Sequence, residues 1–488
     1  MSGVVVTHAT GTMSKRVQRM TTAARRGGSI VLGVTLLLVL VAFVPAARVQ
    51  GPEVDVSRLP GPQTNPTITV DPRNDKVLLA ASNSLFEGTE RIYSSTDGGA
   101  TWQSTTAFPP TSDVKATCAS DPGVAIDRNG REYVSFVRAT PCTSNGVYRV
   151  YVVSRSGPSA SWSKPVLVAP LKTARVDDKP MIAVDASPVS PHRNRVYAAW
   201  SRLSRGTVFS IVVSHSDDGG KTWSAPVRAN RTGNEVTYAS VATSRKGLLY
   251  VAWTDISNFD VKIVRSVDGG AHFGPEQRVA AFTIVTIPHC GLGIVIPAEP
   301  KSCIQANPTV SIDTSGGRYS GRVYVSYTGT DFQGDQGASL TTFDRSLRPL
   351  AGYPLNRKNR AVAHSSSSPE TRADQFWVQS AVDQSDGVLW VCYYDTVGDP
   401  ERKRAHYDCT ASRDGGKTWV KPIRAASADS DETQPGANYQ YGYYQGLTAA
   451  DGSAHPIWTD TRNLADLGEE IYTTTLTEAD LGLPPSSR

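Results

Sequence analysis

The pattern Ser-x-Asp-x-Gly-x-x-aromatic occurs four times in this chain, at Ser95–Trp102, Ser216–Trp223, Ser266–Phe273 and Ser412–Trp419. Each copy stands between two short apolar runs, as where Ile211–Val213 precedes the second copy and Ala225–Val227 follows it, so each reads as the tip of a β-hairpin. The residue types suit a turn. The Asp carboxylate accepts backbone N–H bonds inside the loop, Gly supplies positive φ, and the aromatic ring folds back beneath the hairpin. These are structural roles rather than catalytic ones. One hairpin recurring along the whole length points to one sheet unit built repeatedly into a single closed architecture.

The unit extends beyond the hairpin. Asn65–Asp71, Asp121–Asp127, Lys179–Asp185 and Asn307–Asp313 share an entry residue, a Pro, an apolar run and a closing Asp, and looser versions begin near Glu235, Asp374 and Tyr443. Second strands follow at Tyr133–Phe136, Val196–Trp200, Leu249–Trp253, Val323–Tyr327, Leu389–Tyr393 and His455–Trp458, rich in β-branched and aromatic residues. This gives seven units, each a four-stranded antiparallel sheet with the hairpin motif between strands three and four. Units two and five carry degenerate hairpins instead, at Ser154–Trp162 and Thr342–Leu350. Unit seven shows only three strands, and Val54–Ser57 is the candidate for its outer strand, a closure that suppresses exposed edges. The fold class is therefore all-β, a single β-propeller at 63–478, with a linker and closing strand at 48–62 and a disordered tail at 479–488.

The repeated motif is the Asp box, and after the leader the chain resembles the Asp-box (BNR-repeat) β-propellers of the sialidase superfamily. The resemblance implies six blades, the count of the familiar sialidases, against the seven units of this sequence. It also implies a Tyr nucleophile, a Glu that activates it, an Asp acid/base and three Arg residues that grip the substrate carboxylate. Asn234-Glu235 resembles the Asn-Glu entrance that supplies the activating Glu, and Tyr444-Gln-Gly-Leu447 is similar to the segment carrying the nucleophile. The Arg-Ile-Pro segment of the family is absent before unit one, and Trp253-Thr-Asp255 stands where another Arg is expected.

Residues 1–47 read as a secretory signal or N-terminal membrane anchor. Lys15, Arg16, Arg19, Arg25 and Arg26 precede the apolar run Ile30–Val44, and small residues follow it. The whole chain has 50 basic and 45 acidic residues, so loss of these five bases leaves 45 of each. A neutral exported domain lacks the basic excess that accompanies nucleic-acid binding. Six cysteines in an exported chain imply disulfides, with Cys118–Cys142, Cys290–Cys303 and Cys392–Cys409 the nearest pairs. Their spacing does not suit zinc.

In a propeller, the blade-entry loops and the loops between strands two and three open on one face, where binding sites are usually built. The long insertions fall there, including the apolar stretch 284–306, a candidate flap over the mouth. The Asp boxes belong to the opposite face. By position, Asp121, Asp178, Glu235 and Asp374, with Asn65 and Asn307, form a polar ring at the mouth. Such carboxylates suit glycoside hydrolysis, or equally fix strand entry through side-chain turns.

The candidate catalytic residues are thus Glu235, Tyr444, Asp178 and Asp374, and the candidate substrate-binding residues are Asp121, Arg372, Tyr443 and Arg462. No cofactor is expected; a ring of acids would suit Ca²⁺, but no ligand spacing marks a site. The eight histidines form no metalloprotease motif, and no nucleophile elbow is present. Two readings follow. One is an exported sialidase-like, exo-acting glycoside hydrolase on an extracellular glycan or glycoconjugate. The other is a non-catalytic propeller that binds glycan or protein. Either is expected as a monomer, with membrane contact only through an uncleaved leader.

Overall fold

The computed structural model describes residues 51–109, 113, 115–143, 145–169, 176–203, 208–282, 285–287, 291–330, 335–350, 372–437 and 441–483. The leader lies outside them.

Seven antiparallel sheets are arranged as blades. Their inner strands are Gln63–Asp71, Cys118–Ile126, Val176–Val184, Val236–Thr243, Thr309–Ile312, Gln375–Val382 and Gly446–Ala450, and each blade continues outward in sequence order. The second strands are largely buried, and Leu249–Asp255 and Leu389–Asp395 are buried along their whole length. They read as unbroken apolar runs because neighbouring blades cover both faces. Clusters of buried residues join successive blades. Tyr197, Ala199 and Ile211 of blade three pack with Leu249, Val251 and Trp253 of blade four, and Ile68 and Ala80 of blade one pack with Ile457 and Ile471 of blade seven. That last contact closes the ring.

The closure also involves backbone pairing. Val54–Asp55 runs antiparallel to Glu470–Thr473, with Val54 opposite Thr473 and Asp55 opposite Tyr472, so a strand from before blade one completes blade seven. Arg462 clamps this seam, bonding Glu53 Oε1 at 2.6 Å and Asp460 Oδ2 at 2.7 Å. Its guanidinium carbon lies 4.1 Å from the centre of the Tyr472 ring.

All four Asp boxes fold alike. In the second, Ser216 Oγ donates to Asp218 Oδ1 (2.8 Å), Thr222 N donates to the same oxygen (2.9 Å), and Thr222 Oγ1 donates to Asp218 Oδ2 (2.6 Å). Trp223 Nε1 closes the turn on the carbonyl of Gly220, which holds φ at 85° where a side chain would be strained. In the first box, the Thr101 hydroxyl and the Thr101 and Ser95 donors around it hold the Asp97 carboxyl down at about 2. Asp218→Ala is expected to lower stability by about 1–2 kcal/mol in urea unfolding, with no change in ligand binding, because the boxes lie on the face away from the mouth.

Two disulfides are described, one at the mouth-side start of blade two and one within the core of blade six. Cys118 and Cys142 have Cα atoms 5.6 Å apart, and Cys392 pairs with Cys409 across adjacent strands of blade six. Cys303 is also disulfide-bonded, and its expected partner Cys290 lies outside the described residues. The stretch after blade four forms a small sheet of Val285–Ile287, Gly291–Ile296 and Glu299–Ile304. Ile296, Ala298 and Ile304 bury themselves against Phe376, Trp377 and Tyr441, so this flap packs on blade six and on the segment leading into blade seven.

Candidate functional site at the propeller mouth

The mouth is built from one recurrent backbone irregularity. Just inside each of five blades the inner strand skips a ladder position, between Thr64/Thr67, Ser120/Gly123, Asp178/Met181, Thr237/Ser240 and Phe376/Gln379. The skipped segment is a β-bulge, and its first residue is left-handed: Asn65 (φ 54°), Asp121 (55°), Lys179 (51°), Tyr238 (55°) and Trp377 (53°). Asn307 and Tyr444 occupy the equivalent place in blades five and seven, two residues before pairing resumes at Thr309 and Gly446. Each blade therefore offers one residue at the same level around the axis.

These residues interlock. Asn65 Nδ2 donates to Asp121 Oδ1 (2.8 Å), while Asn65 Oδ1 accepts from the backbone N–H of Tyr443 (2.7 Å). Asn307 Nδ2 donates to the Tyr443 carbonyl at 2.8 Å. The Tyr444 hydroxyl bonds Asp121 Oδ1 at 3.4 Å, and the Asp121 backbone N–H is held by Asn83 Oδ1 at 2.7 Å. Lys179 Nζ lies 4.2 Å from the Tyr443 ring centre and 4.9 Å from that of Tyr238. Tyr443 itself is 39% exposed, with Tyr238 and Trp377 at ring distances of 6.1 and 6.5 Å. Beneath lies a cavity of about 330 Å³ lined by Lys179, Tyr238, Asn307, Gln379 and Tyr444, among others.

The electrostatics follow from burial. Burial, then the negative charges of Asp121 and Asp178, push the Tyr444 phenol well above its ordinary range. Asp178 is also raised, chiefly by burial and against the pull of Lys179. Burial works against the Lys179 charge, but Asp121, Tyr238, Asp178 and Tyr443 outweigh it and raise its pKa.

The structure thus brings together Tyr444, Asp121, Tyr443 and Asp178 from the sequence candidates, with Asn65 and Asn307 of the expected ring. It does not bring in the others. Glu235 is exposed and makes no hydrogen bond to Tyr444, whose phenol meets Asp121 instead. The ring position of blade four lies three residues later, at Tyr238. Asp374, 0% exposed, is enclosed by Arg402 Nε at 2.9 Å and the backbone N–H of Gln336 at 3.0 Å; Trp377 takes the ring position. Arg372 pairs with Asp335 at 2.5 Å, and Arg462 belongs to the seam. Lys179, Tyr238 and Trp377 were missed. Of these, Lys179 carries the same following Pro that marks Asn65, Asp121 and Asn307.

Trp377 connects the mouth to the flap, its Nε1 donating to Glu299 Oε2 at 3.1 Å. Glu299 is 0% exposed, and burial raises its carboxyl to about 8. The folded pKa lies above the unfolded value of about 4.3. From about pH 4 to about pH 8 the folded state therefore keeps a proton that the unfolded state gives up, so stability falls across this window and the loss is complete above it. The loss is on the order of a few kcal/mol. Glu299→Gln keeps the acceptor for Trp377 and is expected to flatten the slope, read as urea midpoints at pH 5 and pH 8.

The carboxylates of Asp383, Asp386 and Glu478 converge within 4.8 Å of one another, as a cation site would require. The group follows the inner strand of blade six on the Asp-box side, and Arg413 pairs with Glu478. It takes no part in the mouth.

The BNR/Asp-box repeat model matches residues 214–225, the second Asp box and its flanks. No curated protein sequence matches the chain. Among solved structures the chain is similar to a protein of unknown function from Dyadobacter fermentans, at 16% identity over 74% of this chain and 98% of the other, with a TM-score of 0.46. It is also similar to Trypanosoma rangeli sialidase, at 13% identity over 89% of this chain and 61% of the sialidase (TM-score 0.48). A third is a polysaccharide lyase described as a PL25 ulvan lyase, at 12% identity over 89% of this chain and all 100% of the lyase (TM-score 0.49). The chain is a seven-bladed Asp-box (BNR-repeat) β-propeller, and its likeness to the sialidase superfamily is one of fold.

Proposed function

We propose that this is an exported, glycan-acting propeller whose mouth performs retaining glycoside hydrolysis. The observation that carries the reading is the contact of the Tyr444 phenol with the Asp121 carboxylate beside a cavity open to a sugar ring. A buried phenol is a weak nucleophile until a base takes its proton. In the first step Tyr444 Oη bonds to the anomeric carbon while its proton passes to Asp121. The glycosidic C–O bond breaks as the Asp178 carboxyl, its pKa raised by burial, gives a proton to the leaving oxygen. In the second step water attacks the anomeric carbon and loses its proton to Asp178. The Tyr444–sugar bond breaks, and Asp121 returns the proton to the phenol. Asn65 Nδ2 donates to the same Asp121 oxygen, Oδ1, that the phenol meets, and so fixes the carboxylate in place.

The export half of the reading rests on the leader and the disulfides. N-terminal sequencing of the secreted product is expected to begin near Ala46; retention in the membrane identifies an anchor instead. Catalysis is tested by release of fluorophore from a panel of aryl glycosides. A second reading, glycan binding without turnover, is favoured by the exposed Tyr443 ring, a stacking platform independent of the Tyr444–Asp121 pair. Retention on glycan supports without release of any fluorophore would select it.

A further inference from the structure

The mouth differs from a site made for acidic sugars in its charge and in its hydrogen-bond polarity. Lys179 is the one cation among the described residues lining the cavity, and its ammonium is already matched by Asp121 and Asp178 and covered by two tyrosine rings. Among the described residues, Arg402 is spent on Asp374 and Asp335, Arg372 on Asp335, and Arg462 on Glu53 and Asp460. A ligand carboxylate entering here would be desolvated beside two acids, with no unmatched cation among the described residues lining the cavity to receive it.

The unused hydrogen-bonding capacity points the same way. Asn307 lines the cavity at 7% exposure; its Nδ2 is fixed on the Tyr443 carbonyl, and its Oδ1 accepts no hydrogen bond. A buried acceptor without a donor costs about 1–3 kcal/mol. A ligand that donates hydrogen bonds relieves it, and a sugar hydroxyl does so where a carboxylate cannot. The Asp178 and Asp121 carboxyl oxygens add further acceptors, while the Tyr443 ring offers an apolar face for a pyranose.

Resting on the glycan-acting reading above, we infer that the ligand of the mouth is an uncharged sugar, held by its hydroxyl donors, with Asn307 Oδ1 receiving one of them. The site then selects against the carboxylate that a sialoside site selects for.

The test separates ligand class from catalysis. Binding of the secreted protein and of its Tyr444→Phe variant is measured by affinity electrophoresis in neutral polysaccharides (a mannan, a xylan, a β-glucan) and in anionic ones (polysialic acid, alginate). Turnover by the wild type is measured on neutral aryl glycosides, an aryl sialoside and an aryl glucuronide. Neutral ligands are expected to be preferred by at least about 100-fold, and Asn307→Ala is expected to weaken the preferred one about tenfold. Neutral binding without turnover would leave the ligand class standing and remove the hydrolase. Preference for an anionic glycan would overturn the inference whatever the turnover, and so would failure to bind either class.

Discussion

Tyr444→Phe is expected to lower kcat on the best aryl glycoside by at least about 10³-fold while leaving the fold intact. The two consequences separate because the deleted atom has one role. The described contacts give the Tyr444 hydroxyl a single hydrogen bond, the 3.4 Å contact to Asp121, so its loss costs about 1 kcal/mol or less of stability. The ring remains in its place at the floor of the mouth. Asp121→Asn keeps the shape and the bond to Asn65 but removes the base, an expected loss of about 10²–10⁴-fold. Since both residues serve one proton transfer, the double variant is expected to be hardly worse than Tyr444→Phe alone. Thermal unfolding measured beside kcat distinguishes a chemical defect from a folding one. Full activity in both variants would remove the pair from the mechanism.

Arg462→Met is expected to be the most destabilising single change in the closing blade, at about 3–5 kcal/mol. Asp460 is buried, bonds Trp458 Nε1 at 3.0 Å and meets Arg462 at 2.7 Å. Without the guanidinium its charge stays enclosed with hydrogen-bond donors but no cation beside it. The same substitution frees Glu53, and with it the strand that completes blade seven. The expected signature is a lowered Tm together with protease cleavage near residues 51–57 under conditions where the wild type is resistant. An unchanged Tm would show that the backbone pairing alone holds the seam.

The architecture was legible because its signals are local. The Asp box occupies eight residues, and the second strands are apolar on both faces, so each blade announces itself without reference to the others. The mouth was legible only where a second local signal coincided with it. Asn65, Asp121 and Asn307 stand before a Pro at the blade entrance, and they are ring residues. In blade three the same rule selects Lys179, but the preceding acid Asp178 drew the assignment one residue upstream. Blades four and six have Ala239 and Val378 in place of the Pro, so the Asn-Glu resemblance pointed to Glu235 and acidity at the strand entrance to Asp374, three residues from Tyr238 and Trp377. A bulge adds a residue to one strand and breaks the alternation of faces. A reading based on alternation therefore loses its phase at the very step where the side chain turns toward the axis. The Tyr444–Asp121 contact spans 323 positions, and nothing in the local sequence of either residue encodes it.

The left-handed bulges make the mouth a set of sockets, one to a blade, whose occupants meet their neighbours. At a φ near 50° a β-branched side chain is disfavoured, whereas Asn, Asp and many unbranched residues are tolerated. The interblade cores are built largely from the second strands, and among the sockets Trp377 reaches into one of them. New specificity on this scaffold is therefore a matter of spelling: five positions with a restricted alphabet, each rewritten by one codon, with repacking of the core a consequence at Trp377.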